Sequence, residues 1–83
     1  MAEDVRTRIE GFILDAFLLG DTSGLPGPSD SLIETGVIDS TGVLELIEFV
    51  EGEFGIRVED DETVPDNLDS VDSLVAFVQR KLG

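Results

Sequence analysis

The chain contains no cysteine, histidine, tyrosine or tryptophan, and only five of its 83 residues are basic. Without cysteine it can form neither a disulfide framework nor a thiolate metal site. Without histidine it lacks the most common general base and the most common neutral metal ligand. Its own side chains are therefore poorly equipped for catalysis, and we expect a protein that is not an enzyme.

The shortage of basic residues leaves a formal net charge of −14 at pH 7. Binding to nucleic acid or to an anionic membrane surface requires cationic side chains, so this charge argues against both. No apolar run approaches the length of a membrane span, and the opening "MAEDVRTRIEGF" lacks the pattern of a signal peptide. We therefore expect a cytoplasmic protein that meets basic surfaces on protein partners.

Apolar residues recur at three- and four-residue spacing in three segments, which is typical of amphipathic helices. The first helix is predicted from about Ala2 to Leu19, with Gly20 as its stop. The predicted core residues are Val5, Ile9, Phe12, Ile13, Ala16 and Phe17 in the first helix, Val43, Leu46, Ile47, Val50 and Phe54 in the second, and Val71, Leu74, Val75, Val78 and Leu82 in the last.

Capping residues mark the ends of the other two helices. Asp39 is the predicted N-cap of a helix that runs from Ser40 or Thr41 to about Phe54, and Gly55 is its predicted C-cap. Ser70 is the predicted N-cap of the last helix. Gly42, in the first turn of the second helix, is expected to leave the surface beside Ser40 uncovered.

The connections between helices differ in character. Residues 20–31, "GDTSGLPGPSDS", are too rich in glycine and proline to predict a regular element. We expect the apolar residues that follow to pin this long loop to the core, and such loops are often functional. These residues are Leu32, Ile33, Val37 and Ile38. One or two short helical turns are predicted between residues 56 and 69. The expected fold is all-α: a single domain, residues 1–83, with three main amphipathic helices and one short helix.

The acidic run from Glu59 to Glu62 does not match a calcium loop, because it lacks the required alternation of oxygen ligands and the central glycine. We expect a solvated acidic surface there and no metal site.

A second acidic group lies outside the core stripe of the second helix, around the apolar Leu44. It comprises Glu45, Glu48, Glu51 and Glu53. This group is either a solvated face or a docking face for a partner whose hydrophobic pocket is rimmed by Arg or Lys.

Ser40 has no histidine to activate it, and Lys81 lies at the far end of the chain. The sequence therefore argues against a self-contained hydrolase. Two interpretations remain. Ser40 could be modified by another enzyme, since the start of a helix favours an added phosphate. Alternatively, Asp39 and Ser40 only cap the helix of an unmodified acidic interaction module.

The stretch from residue 34 to residue 56 resembles the signature of acyl carrier and peptidyl carrier proteins. The match consists of "GVIDS" at residues 36–40, "EL" at 45–46 and "EFGI" at 53–56. The resemblance implies that Ser40, preceded by Asp39, carries 4′-phosphopantetheine transferred from coenzyme A by a phosphopantetheinyl transferase. The thiol of that arm would supply the thioester chemistry that a chain without cysteine cannot.

The resemblance also implies how partners are recognised. Glu45, Glu51 and Glu53 are the expected recognition carboxylates and Leu44 the apolar contact, while Glu48 makes the face more acidic than in many fatty-acid carriers. Thr41 stands where Leu or Met usually contacts the transferase, which bears on the range of partners.

The family resemblance leaves the cargo open. We expect a free-standing monomer that carries acyl or polyketide intermediates of fatty acid, polyketide or related secondary-metabolite biosynthesis. An AMP-forming ligase or an acyltransferase would load it, and ketosynthase-type or other condensing enzymes would use its cargo. The "GVIDS-x-G" form is also similar to D-alanyl and other aminoacyl carriers, so an aminoacyl cargo is the alternative.

Overall fold

A computed structural model describes residues 2–83, and its helices follow the predicted periodicity. The main helices are α1 (Ala2–Phe17), α2 (Ser40–Phe54) and α4 (Val71–Leu82), and the short helix α3 spans Pro65–Leu68. Two 3₁₀ turns, Thr22–Gly24 and Asp60–Glu62, lie in the connections. Every regular element of the described residues is helical, which confirms the all-α prediction.

The predicted caps of α2 and α4 are confirmed by their hydrogen bonds. The Asp39 carboxylate accepts the backbone N–H of Gly42 at 2.7 Å, and the Ser70 hydroxyl accepts that of Ser73 at 3.1 Å. Gly55 ends α2 in the left-handed conformation, at φ 66°, where glycine is favoured. Local sequence therefore determines where both helices begin and where α2 ends.

α1 ends at Phe17, two residues before the predicted end. Leu19 and Gly20 both have positive φ angles, 53° and 86°, and the backbone N–H of Gly20 bonds to the carbonyl of Leu14 at 2.9 Å. The prediction of no regular element in residues 20–31 is wrong at one point. Thr22–Gly24 forms a 3₁₀ turn because the Asp21 carboxylate caps it by accepting the N–H of Ser23.

The core lies between the inward faces of α1, α2 and α4, with α1 packed chiefly against α4. Two predicted core residues are exposed: Ala16 in the last turn of α1, and Leu82 at the end of α4. Phe77 was not predicted but is only 2% exposed. The fully or nearly fully buried apolar residues are Val5, Ile9, Ile13, Leu32, Ile38, Leu46, Val50, Leu68, Val71, Leu74, Val75, Phe77 and Val78.

The end of the long loop is pinned to this core as predicted, with one exception. Leu32 and Ile38 are buried and Val37 is half-buried, but Ile33 is exposed. Ile33 therefore belongs to the surface near the start of α2 rather than to the core.

Candidate functional site

Ser40 is the first residue of α2, and its side chain is exposed. Asp39, in extended conformation, directs its carboxylate back to the N–H of Gly42, two residues beyond Ser40. Within the described residues the Ser40 hydroxyl has no hydrogen-bond partner. The cap thus fixes the backbone of the first turn while leaving the serine oxygen accessible to another molecule.

Gly42 is buried, which corrects the expectation that it leaves the helix surface uncovered. A β-carbon built at this position would meet the Phe17 ring at 2.9 Å and the Ile38 side chain at 3.0 Å. The glycine therefore allows the first turn of α2 to lie directly on the end of α1 and on the loop. Phe17 lies 25 residues away in the chain. The sequence by itself therefore did not reveal this role.

A groove of about 320 Å³ opens beside Ser40. One side comes from the start of α2, the second from the end of the long loop, and the third from the segment around α3. The lining residues are Ile33, Ser40, Val43, Leu44, Thr63, Val64, Leu68 and Asp69. Most of these side chains are apolar, so the groove suits an uncharged, largely hydrocarbon group.

The groove is separate from most of the predicted core of α2. Of those core residues only Val43 lines it, and Leu46, Ile47, Val50 and Phe54 do not. Leu46 and Val50 are fully buried in the core instead. The groove lies outside the core because it forms where α2, the loop and α3 meet at the surface.

Three of the five large, exposed apolar side chains of the described residues lie at this groove. They are Ile33, Leu44 and Val64, with 49%, 60% and 38% of their surface exposed. Leu44 was predicted to be an outward apolar contact. Ile33 and Val64 were missed, because each belongs to a different connection and only the fold brings them together around Ser40.

Asp69 fixes the loop side of the groove through three hydrogen bonds. Its carboxylate accepts the Ser31 hydroxyl at 2.5 Å and the N–H of Ile33 at 3.1 Å. Its backbone carbonyl accepts the N–H of Leu32 at 2.7 Å. This residue, also missed from the sequence, holds Ile33 against the junction of α3 and α4.

The four carboxylates predicted on α2 form two groups with different surroundings. Glu45 and Glu48 are exposed and form no ion pair or hydrogen bond with other described residues. Glu51 accepts the N–H of Val58 at 2.9 Å, and Glu53 forms an ion pair with Arg8 on α1 at 2.6 Å. Thr41 is exposed on the first turn. The free carboxylates therefore lie near Ser40, and the two at the far end of α2 have internal partners.

All five basic residues are engaged within the molecule. Arg6 pairs with Asp72, and Arg57 pairs with Glu59. Arg8 pairs with Asp4 as well as with Glu53, Lys81 pairs with Glu62, and Arg80 donates to Asn67. The carboxylates around Ser40 therefore present an unopposed negative field, which complements a basic surface.

The acidic run from Glu59 to Glu62 has a local structural role. The Glu62 carboxylate accepts the N–H of Glu59 at 3.0 Å, which closes the 3₁₀ turn. This hydrogen bond, and then the contact with Lys81, lowers the pKa of Glu62. Among the described residues, no group of acidic side chains is arranged to hold a metal ion. Across residues 2–83, no helix combines the length and apolar character needed to cross a membrane.

The fold and the site define a small acidic helical bundle that presents an accessible serine at the start of its second main helix. No protein-family model matches the chain. The chain is 30% identical over 76 residues to PigG of Serratia sp. (strain ATCC 39006), described as a probable acyl carrier protein. The match covers 92% of this chain and 86% of PigG. The chain therefore belongs to the acyl carrier protein family, as its sequence signature predicted.

Proposed function

We propose that the chain is a discrete carrier in which Ser40 bears 4′-phosphopantetheine and carries acyl or polyketide intermediates as thioesters between separate enzymes. The observation that carries this proposal is the exposed Ser40 hydroxyl in the first turn of α2, beside an apolar groove. The proposed carrier is a monomeric, cytoplasmic, single domain of residues 1–83 that is not itself an enzyme.

Attachment of the arm requires only that Ser40 be reachable. The Ser40 Oγ–P bond would form as the bond from that phosphorus to the adenosine bisphosphate of coenzyme A breaks. The hydroxyl proton would pass to a base of the phosphopantetheinyl transferase. Asp39 would keep the first turn of α2 in place during this step, because its carboxylate is held by the N–H of Gly42. The thiol of the arm then supplies the site of thioester formation.

The surface around Ser40 would recognise the partners. Leu44 offers an apolar contact flanked by Glu45 and Glu48, and Ile33 and Val64 extend the apolar rim across the groove. A partner with a hydrophobic pocket rimmed by Arg or Lys fits this pattern. Thr41, next to Ser40, would set part of the selectivity for the transferase.

Within the same proposal, Glu51 and Glu53 contribute less to recognition than Glu45 and Glu48. Their carboxylates are bonded to Val58 and Arg8, so a partner would have to compete with those contacts. The enzymes that meet this face are the transferase, the loading ligase or acyltransferase, and ketosynthase-type or other condensing enzymes.

An aminoacyl cargo, loaded by an AMP-forming ligase, is the second candidate. The feature that favours it is Gly42, which belongs to the "GVIDS-x-G" form and packs on Phe17 and Ile38. Both cargo classes use the same arm on Ser40. They differ in whether the loading enzyme presents an acyl group or an aminoacyl adenylate.

The test is the intact mass of the protein after incubation with coenzyme A and a broad-specificity phosphopantetheinyl transferase. We expect a gain of one phosphopantetheine in the native chain and none in Ser40→Ala. Because Thr41 replaces the usual residue at this position, a transferase from the source organism is the second arm of the test. No gain with either enzyme, beside a working positive control, would favour an unmodified interaction module.

A further inference from the structure

One side of the groove is a short segment, residues 62–68, that contributes Thr63, Val64 and Leu68 to the lining. α4 holds this segment through two consecutive cations in its last turn. The Lys81 Nζ lies 2.9 Å from the Glu62 carboxylate, and the Arg80 guanidinium donates to the Asn67 amide oxygen at 2.9 Å. The two anchored residues flank Thr63 and Val64 on either side.

The anchored residues are also joined to each other. The Asn67 side-chain amide donates to the backbone carbonyl of Glu62 at 2.9 Å, and the Glu62 carboxylate accepts the N–H of Glu59. A displacement of Glu62 would therefore displace Asn67 and the turn that precedes it. This connection means that loss of the Lys81 contact at Glu62 would also reach Asn67.

Both cations lie over one buried aromatic ring. Lys81 Nζ and the Arg80 guanidinium lie 6.0 and 5.8 Å from the centre of the Phe77 ring, within the range of a cation–π contact. Phe77 is buried in the core, so the ring cannot move with the surface. The contact thus links the groove wall to the core.

The Lys81–Glu62 pair is more sheltered than the comparable surface pair. The side chains of Lys81 and Glu62 are 26% and 29% exposed, against 83% and 52% for Arg57 and Glu59. Partly buried charges are screened less by solvent and salt than exposed ones. We therefore expect the Lys81–Glu62 pair to hold its geometry and the Arg57–Glu59 pair to contribute little to the stability of this region.

From these contacts we propose that Arg80 and Lys81 are positioning residues that hold the 62–68 wall of the groove beside Ser40. The link to cargo rests on the proposed function: a wall held in place would shelter an apolar group that is carried on the arm of Ser40 and lies in the groove. Loss of the clamp would open the wall locally and leave the core of α1, α2 and α4 intact.

Amide hydrogen exchange of the unmodified protein tests the clamp directly. Lys81→Met removes the charge but keeps a long apolar side chain next to Phe77. We expect exchange at Val64, Asn67 and Leu68 to rise roughly three- to fivefold, as for local opening after loss of a partly buried ion pair. These amides report on the wall because each is hydrogen-bonded within it.

Arg57→Met is the matched control, because it removes one positive charge from an exposed pair nearby. We expect it to leave exchange in the wall unchanged within about twofold. An equal rise in both variants would overturn the proposal. A rise in Lys81→Met spread evenly over α1 and α2 would also overturn it, because Lys81 would then serve global stability only.

A second experiment measures how far the groove protects the cargo thioester from cleavage. With an octanoyl thioester on the phosphopantetheine of Ser40, we expect hydroxylamine to cleave Lys81→Met roughly threefold faster than the native chain or Arg57→Met. Equal cleavage rates beside raised wall exchange would overturn the link between the clamp and the cargo. If Ser40 accepts no arm, only the proposed function fails, and the exchange experiment still decides whether the clamp exists.

Discussion

The two ends of α2 carry the same residue types and use them differently. Near Ser40, Leu44 is exposed and Glu45 and Glu48 have no internal partner among the described residues. Towards Phe54, the carboxylates of Glu51 and Glu53 are bonded to the connection after α2 and to α1. Whether a glutamate is free for a partner therefore depends on what lies opposite it, and helical position alone does not decide it.

The largest expected effect separates an inward leucine from an outward one. Leu46→Ala removes a fully buried side chain and should lower the free energy of unfolding by about 2–5 kcal/mol. Leu44→Ala, at an exposed position, should change it by less than about 0.5 kcal/mol. Urea denaturation of both variants measures this difference. Similar losses would contradict the assignment of Leu44 to the surface.

Two glycines of α2 should respond to alanine in opposite directions. Gly42→Ala should lower the free energy of unfolding by about 1 kcal/mol, because overpacking against Phe17 and Ile38 exceeds the gain in helix propensity. Gly52 has open space around it, so Gly52→Ala should raise the free energy of unfolding by about 0.5–1 kcal/mol. Thermal unfolding checks the signs, and stabilisation by both substitutions would disprove the close contact at Gly42.

Glutamine substitutions should separate recognition from stability. Glu48→Gln should raise the KM of the phosphopantetheinyl transferase for this protein severalfold. The effect should be strongest at low salt, because an exposed charge steers association. Glu53→Gln should instead lower the free energy of unfolding by about 0.2–1 kcal/mol through loss of the Arg8 pair. Transferase kinetics and urea denaturation of both variants measure the two effects. The opposite pattern would place recognition at the far end of α2.

A smaller effect concerns pH. The hydrogen bond from the Glu59 N–H lowers the folded-state pKa of Glu62 below its ordinary value of 4.5, and the contact with Lys81 lowers it further. Its carboxylate therefore stabilises the fold above about pH 4.5, and this stabilisation is lost as the pH falls through the lowered pKa. The difference in Tm between the native chain and Glu62→Gln should be largest near neutral pH and shrink in acid. A constant difference would contradict the lowered pKa.

Much of the fold was predictable because its signals are local. The apolar spacing of α1, α2 and α4 is visible in the sequence, and the caps at Asp39 and Ser70 each act on the residue three positions away. The two residues that were wrongly assigned to the core lie at helix ends. Ala16 and Leu82 have the spacing of core residues but lie in last turns, where they remain exposed.

The candidate site was predictable only in part. The motif identified Ser40 and Asp39, and the helical pattern placed Leu44, Glu45 and Glu48 outward. The rest of the groove comes from residues far apart in sequence: Ile33 precedes α2, and Val64 follows it by ten residues. Helical periodicity carries no information on which connections meet in space, so these residues could not be selected from it.

The sequence by itself determined the helices, their caps, the strong negative charge and the serine at the start of α2, because each depends on composition or on neighbours within about one helical turn. Only the tertiary structure decided which carboxylates are paired, why position 42 is a glycine and what forms the walls of the groove. These features depend on contacts such as Arg8 with Glu53, Gly42 with Phe17 and Lys81 with Glu62. Each joins residues that become neighbours only when the helices pack.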